Sequence, residues 1–204
     1  MSVTPGVVLA FGLLLGMQHA TEADHLAAVA SLAGGERSLR AGVSHGIAWG
    51  TGHALMLLLV AGALGFLGWA ISPLVAGRME RVVGAMLIVL GFGVMRRLRH
   101  APGHGHRRRL PFRSVAVGMV HGLAGSAALA LLASQAMASP AGMLVYIAVF
   151  GLGSILGMAL LSGVLAIPLG LTARHLTGVY RILNSSVALF SLALGGRLLF
   201  ASGG

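Results

Sequence analysis

The sequence contains no cysteine and no lysine, and only four of its 204 residues are acidic. Without cysteine the chain cannot form a disulfide, a thiolate metal site or a redox-active thiol pair. Charged residues make up 9% of the chain, whereas a soluble globular domain has about a quarter. With 57% hydrophobic residues, the composition is typical of an integral membrane protein.

Six segments are apolar over lengths near the roughly 20 residues that a helix needs to cross a bilayer. They span residues 5–33, 42–71, 80–97, 114–137, 141–169 and 179–200. This pattern predicts an all-α integral membrane protein with six transmembrane helices embedded in the lipid bilayer. The 32 glycines are spread through these segments, which favours close packing between helices.

All 14 basic residues are arginines, and most of them lie in alternate loops between the apolar segments. If the N-terminus is outside, eleven arginines lie in or beside the cytoplasmic loops and three lie on the outer side. This asymmetry predicts a multi-pass inner-membrane protein with both termini outside. It also accounts for the net charge of +10 without nucleic acid as a partner. The sequence leaves open whether the chain forms a homo-oligomer.

Two stretches of the chain resemble each other. The string "GMQHATEADHLAAVA" at 16–30 aligns with "GMVHGLAGSAALALL" at 118–132, and "GTGH" at 50–53 aligns with "GLGS" at 151–154. The matches predict a three-helix repeat at 1–97, a basic, histidine-containing cytoplasmic loop at 98–113, and a second repeat at 114–204. Because each half has three spans, the second is inverted, which is typical of transporters. Chance similarity between helices rich in glycine, alanine and leucine is the alternative.

The first apolar segment holds two of the four acidic residues. A carboxylate in hydrocarbon is costly, so an acid within a membrane span usually has a function. On a continuous helix His19, Glu22 and His25 share one face. On such a helix Asp24 points elsewhere. It takes part in the same site only if the helix is distorted, or if it acts indirectly by orienting a ligating histidine.

Three further histidines, His45, His53 and His121, lie within apolar segments. Imidazole nitrogens suit nickel, cobalt, zinc and copper, so two or three of these side chains are candidates to join the first-segment pair at a metal. Alternatively, a histidine such as His45 or His121 bonds to a neighbouring carbonyl, and the acids pair with arginine or relay protons. Glu36 and Glu80 lie beside arginines near segment ends and are typical of boundary charges.

The string from His19 to His25 has the form H-x4-D-H, which resembles the signature of the nickel/cobalt transporter family and its compact UreH-like members. In that family the motif lies in a transmembrane helix and binds the transported metal, which implies this role for His19, Asp24 and His25. The "GTGH" string with His53 is similar to the family's second-helix element. "GMVHGLAGSAAL", with His121, is similar to the start of the second half in UreH-like members.

The resemblance implies an inner-membrane transporter that takes up a divalent transition metal, nickel or else cobalt, and that is not an enzyme. No organic cofactor is expected, because the metal ion is the substrate. An exporter of the same metals is one alternative. Alternatives of another class are an intramembrane metal-dependent enzyme and a membrane accessory protein for metalloenzyme assembly. The predicted metal-site residues are His19, Glu22, Asp24, His25, His45, His53 and His121.

Overall fold

A computed structural model describes residues 5–33, 38–69, 71–99, 112–137 and 139–201. These described residues form helices joined by short turns and contain no strand. In chain order the helices are α1 (Pro5–His19), α2 (Ala23–Ala33), α3 (Leu39–Leu67), α4 (Pro73–Arg99), α5 (Phe112–Ala136), α6 (Pro140–His175) and α7 (Thr177–Ala201). The predicted all-α class is confirmed. The predicted basic loop, 98–113, lies mostly outside the described residues.

Each of the last five predicted segments corresponds to one helix, α3 to α7, whereas the first segment contains two. Within the described part of the chain, three helices are long and apolar enough to cross a bilayer: Leu39–Leu67, Pro140–Thr172 and Thr177–Phe200. α1 and α2 together make a fourth candidate span, with a bend of 57° between them. The chain is therefore a helical membrane protein with three or four candidate spans by this measure.

Local signals in the sequence set several helix ends. The side chain of Ser38 accepts a hydrogen bond from the backbone N–H of Ala41, and Ser139 accepts one from Gly142. Both serines thereby satisfy N–H groups that a helix start leaves unpaired. At its other end α3 stops at Gly68, whose φ of 66° lies in the left-handed region that glycine adopts without steric cost.

A break separates α1 from α2, and it is the distortion of the first segment, residues 5–33, that the sequence left open. Thr21 bonds back to the carbonyl of Gln18 through both its N–H and its hydroxyl, at 2.8 and 2.6 Å. The N–H of Glu22 bonds to the carbonyl of His19 at 3.1 Å. These three-residue turns replace the helical hydrogen-bond pattern because a short polar side chain competes for the backbone.

Contacts of glycines show how the helices run. Gly12 and Gly16 of α1 lie against Tyr146 and Phe150 of α6, so α1 and α6 are parallel. By the same reasoning α3 is antiparallel to α6 and parallel to α5, and α4 is antiparallel to α7. The contacts are Gly46–Met158 and Gly62–Leu144, Gly118–Trp49 and Gly122–His53, and Gly84–Leu198 and Gly91–Ala188. These are also the most extensive helix contacts.

The short helix α2 is held at its far end by polar contacts with α4 and α7. Arg97 of α4 donates to the carbonyl oxygen of Ser31 at 2.6 Å. The hydroxyl of Ser191 on α7 lies 3.0 Å from that of Ser31 and also donates to the carbonyl of Ala27 at 3.3 Å. The end of α4 therefore lies beside the end of α2.

The helix directions define two faces of the bundle. We call the end where α1 begins the first face and the opposite end the second face. α1, α2, α4 and α6 run from the first face to the second, and α3, α5 and α7 run back. Short turns join α3 to α4 and α5 to α6 at the first face, and α6 to α7 at the second.

Candidate metal site

Four histidines meet near the middle of the bundle. His19 ends α1, His25 lies in the first turn of α2, His53 lies at the centre of α3, and His121 lies in α5. The ring centroid of His25 is 4.4 Å from that of His19, 5.2 Å from that of His53 and 4.6 Å from that of His121. His25, His53 and His121 are buried. The bend after α1 brings the first two rings together.

Ring nitrogens of this cluster are buried and have no hydrogen-bond partner among the described residues. They are Nε2 of His19, Nε2 of His25, and both ring nitrogens of His53 and His121. Leaving one buried polar group unpaired costs about 1–3 kcal/mol. Such a concentration of unpaired nitrogens at one point requires an explanation, and a bound cation supplies one.

Two carboxylates stand behind two of the histidines. Nδ1 of His19 lies 2.8 Å from Glu22 Oε1, and Nδ1 of His25 lies 2.9 Å from Asp24 Oδ1. The same Asp24 oxygen accepts the backbone N–H of His25 at 2.8 Å. When Nδ1 donates to a carboxylate, Nε2 is left with its lone pair, which is the form of imidazole that binds a metal. Asp24 thus contacts both the ring and the backbone of His25.

Two groups of side chains have ligand atoms close enough to hold one ion. The ligand atoms of His19, His25 and His53 all lie within 4.8 Å of one another, and so do those of Asp24, His25 and His121. Bonds of about 2.1 Å from an ion to imidazole place two ligands at most about 4.2 Å apart. Each group therefore needs at most a small contraction to close on an ion, and His25 is common to both.

The remaining predicted residues occupy other positions. His45 lies outside both groups, and its Nδ1 is 2.8 Å from the hydroxyl of Ser114. Glu22 contacts His19, but its side chain is 57% exposed. Asp24 also approaches His121, with Oδ2 3.5 Å from Nε2. The described contacts of Glu22 and Asp24 are thus with histidines, which differs from the alternative of pairing with arginine.

A cavity of about 620 Å³ adjoins the cluster. His19, His25 and His121 form part of its wall, together with Glu22 and Asp24. Glu80 of α4, which the sequence places among the boundary charges, lies on the wall of the same cavity. Sequence reasoning missed this residue, although it is one of only four acids in a chain that mostly excludes them.

The chain is similar to the urease accessory protein UreH of Bacillus sp. (strain TB-90). The two are 31% identical over 183 residues, and the similarity covers 83% of this chain and 80% of the relative. The chain belongs to the UreH-like nickel/cobalt transporter family. This confirms the resemblance to the family, and the expectation that the chain is not an enzyme. No protein-family model and no solved structure matches the chain.

In this UreH-like chain aromatic side chains enclose the histidines. Trp49 of α3 is buried, with its ring centroid 5.5 Å from that of His25 and 5.6 Å from that of His121. Phe150 of α6 lies 5.5 Å from His19. Phe150 also lines the cavity, whereas Trp49 lies on the closed side of the cluster, where a low dielectric constant strengthens the interaction of an ion with the two carboxylates.

Proposed function

We propose that the chain carries Ni²⁺, or else Co²⁺, across the inner membrane into the cell. The observation that supports this most is the cluster of four histidines with unpaired nitrogens inside a helical membrane protein. Imidazole is a ligand that nickel and cobalt accept, whereas calcium and magnesium prefer oxygen. The name of the relative links that protein to urease, a nickel enzyme, which puts nickel before cobalt.

The proposed ligands are the Nε2 atoms of His19, His25 and His53. Asp24 and Glu22 orient two of these rings and supply negative charge, which a divalent ion needs in a medium of low dielectric constant. The second group consists of Asp24, His25 and His121. Because His25 belongs to both groups, an ion that moves from one to the other keeps His25 as a ligand.

We further propose six spans arranged as two inverted three-helix repeats, 1–97 and 114–204, joined by the loop at 98–113. Supporting this, glycine contacts recur at the same offset in the two halves. A Cβ on Gly16 would overlap the carbonyl oxygen of Phe150, and a Cβ on Gly118 would overlap that of Trp49. Gly118 follows Gly16 by 102 positions, and Phe150 follows Trp49 by 101. Chance similarity of small-residue helices does not require such paired contacts.

The arginines support an orientation with the second face in the cytoplasm and both termini outside. Arg40 and Arg113 are the second residues of α3 and α5, and Arg181 is the fifth residue of α7, so all three lie near the second face. The end of α4 adds Arg96, Arg97 and Arg99 there. Near the first face the described helices carry Arg78, Arg81 and Arg197. Positively charged residues near span ends favour the cytoplasmic side.

Transport by the purified protein tests this proposal. We expect proteoliposomes that contain the protein to admit Ni²⁺ faster than protein-free liposomes, read by a metal-sensitive dye trapped inside. Titration calorimetry on the detergent-solubilised protein measures binding separately. Binding without translocation would favour the accessory role that the name of the relative suggests, and net efflux from cells would favour an exporter. If the protein showed no Ni²⁺ binding and no Ni²⁺ transport, the proposed metal site would be wrong.

Asp24→Asn is expected to weaken Ni²⁺ binding by roughly 10- to 100-fold, the usual cost of removing a carboxylate behind a ligating histidine. The amide keeps the shape of the side chain but loses the charge that holds His25. Titration calorimetry with Ni²⁺ gives the measurement. Glu22→Gln is the matched control, since Glu22 holds His19 in the same way but is far more exposed, and we expect a smaller effect. If the two variants weakened Ni²⁺ binding equally, Asp24 would not be more important for the site than Glu22.

A further inference from the structure

Within the described part of the chain, the cavity beside the histidines extends toward the first face. On α1 its wall includes Leu15, one turn nearer the first face than His19. On α3 it includes Leu57, one turn nearer the first face than His53. On α5 the wall continues from His121 as far as Leu132, again in the direction of the first face. The cavity therefore runs from the cluster toward the end of the bundle where α1 begins.

The wall of this cavity concentrates the scarce negative charge of the chain. Glu22, Asp24 and Glu80 all line it, and they are three of the four acids in the sequence. Glu80 lies in the part of α4 that is near the first face, and its side chain is exposed. At the inner end are the buried rings of His25 and His121. Nε2 of His25 has no hydrogen-bond partner among the described residues, and Nε2 of His121 has only the 3.5 Å contact with Asp24.

In the opposite direction the described residues form a buried core. Between the cluster and the second face, Trp49, Val117 and Met158 pack with α2 residues in one buried core, and Met158 is fully buried. Ala27 of α2 is also fully buried, close to Ser191 of α7. The bend after α1 directs α2 against α4, α6 and α7, on the side of the cluster that is nearer the second face.

We propose that this cavity is the path by which a hydrated divalent cation reaches the histidines from the first face, and that Glu80 is a cation-binding carboxylate on that path. The inference rests on the proposed function and adds to it an access side and a second binding position. A shell of about six waters at about 30 Å³ each occupies roughly 180 Å³, so the cavity of about 620 Å³ accepts an ion that has not shed its water. A cleft with charge of one sign also raises the local concentration of the opposite ion.

Cysteine labelling tests the path, because the chain has no cysteine of its own to give a background signal. Ala128→Cys places a thiol on the cavity wall, and Ala27→Cys places one in the buried core. Ser72→Cys and Thr177→Cys, both at exposed positions, mark the first and second faces. A membrane-impermeant maleimide is added to right-side-out and to inside-out vesicles. We expect Ala128→Cys to be labelled only in the vesicles where Ser72→Cys reacts, and Ala27→Cys to be labelled from neither side.

Glu80→Gln tests the second binding position. We expect the apparent KM for Ni²⁺ uptake to rise roughly three- to tenfold, since one carboxylate of a focusing cleft is lost. Equilibrium binding of Ni²⁺ at the histidine cluster should stay within about twofold of wild type. Glu80→Asp, which keeps the charge, should restore most of the wild-type KM, whereas a variant harmed only in its packing would not be rescued in this way.

The two tests separate this inference from the proposed function. If wild type moves no nickel, the proposed function fails, but labelling still reports where the cavity opens. If wild type transports nickel while Ala128→Cys is inert, or reacts only where Thr177→Cys does, the path is wrong and the function stands. An unchanged KM in Glu80→Gln would remove Glu80 from the path.

Discussion

His25→Ala is expected to reduce nickel uptake to the level of vesicles without protein, a loss of at least about 100-fold. His25 belongs to both groups of side chains that can hold an ion, so its removal leaves neither group with three ligands. Loss of a ligand should exceed the roughly 10- to 100-fold cost of losing a carboxylate behind one. The measurement is initial Ni²⁺ uptake into proteoliposomes, at equal protein density confirmed by size-exclusion chromatography.

His45→Ala is the matched control for this experiment. Both histidines lie in membrane helices, but His45 is outside the two ligand groups and contacts Ser114. We expect this variant to keep at least about half of the wild-type rate, because it loses a polar contact of about 1 kcal/mol and no ligand. If His45→Ala lost uptake while His25→Ala retained it, the cluster would not be the transport site. The ion would then bind a different subset of the histidines that the sequence predicts as ligands.

The sequence predicts the helices of this chain better than it predicts the break within the first one. Apolar length alone locates both ends of α3, α5 and α7 within four residues, whereas α4 begins seven residues before its predicted segment and α6 ends six residues after it. Between Gly16 and Ala27 no proline or glycine marks an interruption. The break depends on Thr21 and Glu22 bonding back to the preceding turn, and on Arg97 and Ser191 holding α2 from other helices. Those partners come from distant parts of the chain and have no local signature.

The site was predictable in its residue types and only partly in its arrangement. The three-residue spacing of His19, Glu22 and His25 predicted one shared helix face, whereas the structure brings the two histidines together through a bend. The role considered for Asp24, orienting a histidine, agrees with its contacts to His25. Which of the later histidines join the cluster depends on how α3 and α5 pack, and periodicity within one helix carries no information about that.

Gly118→Ala is expected to lower the melting temperature by on the order of 5–10 °C, or to prevent accumulation of folded protein. The new methyl group would overlap the carbonyl oxygen of Trp49 and lie 2.9 Å from the backbone nitrogen of His53. Neither atom can move without shifting α3, and overpacking of this kind costs about 1–3 kcal/mol. The measurement is thermal unfolding followed by size-exclusion chromatography with fluorescence detection.

Gly16→Ala should have a similar effect, since its methyl group would meet the backbone of Phe150 and Ser154 in the corresponding contact of the other half. Gly93→Ala and Gly196→Ala are the controls, because nothing lies within 4 Å of a Cβ at either position. In those helices alanine should be neutral or slightly stabilising.

Equal melting temperatures for all four variants would contradict the close packing of α5 on α3 and of α1 on α6. If the two repeats share this contact, the melting temperature should fall in Gly16→Ala and Gly118→Ala but not in the two controls. The Gly118→Ala substitution should also weaken Ni²⁺ binding, because the contact between α5 and α3 at this glycine positions His121 beside the cluster.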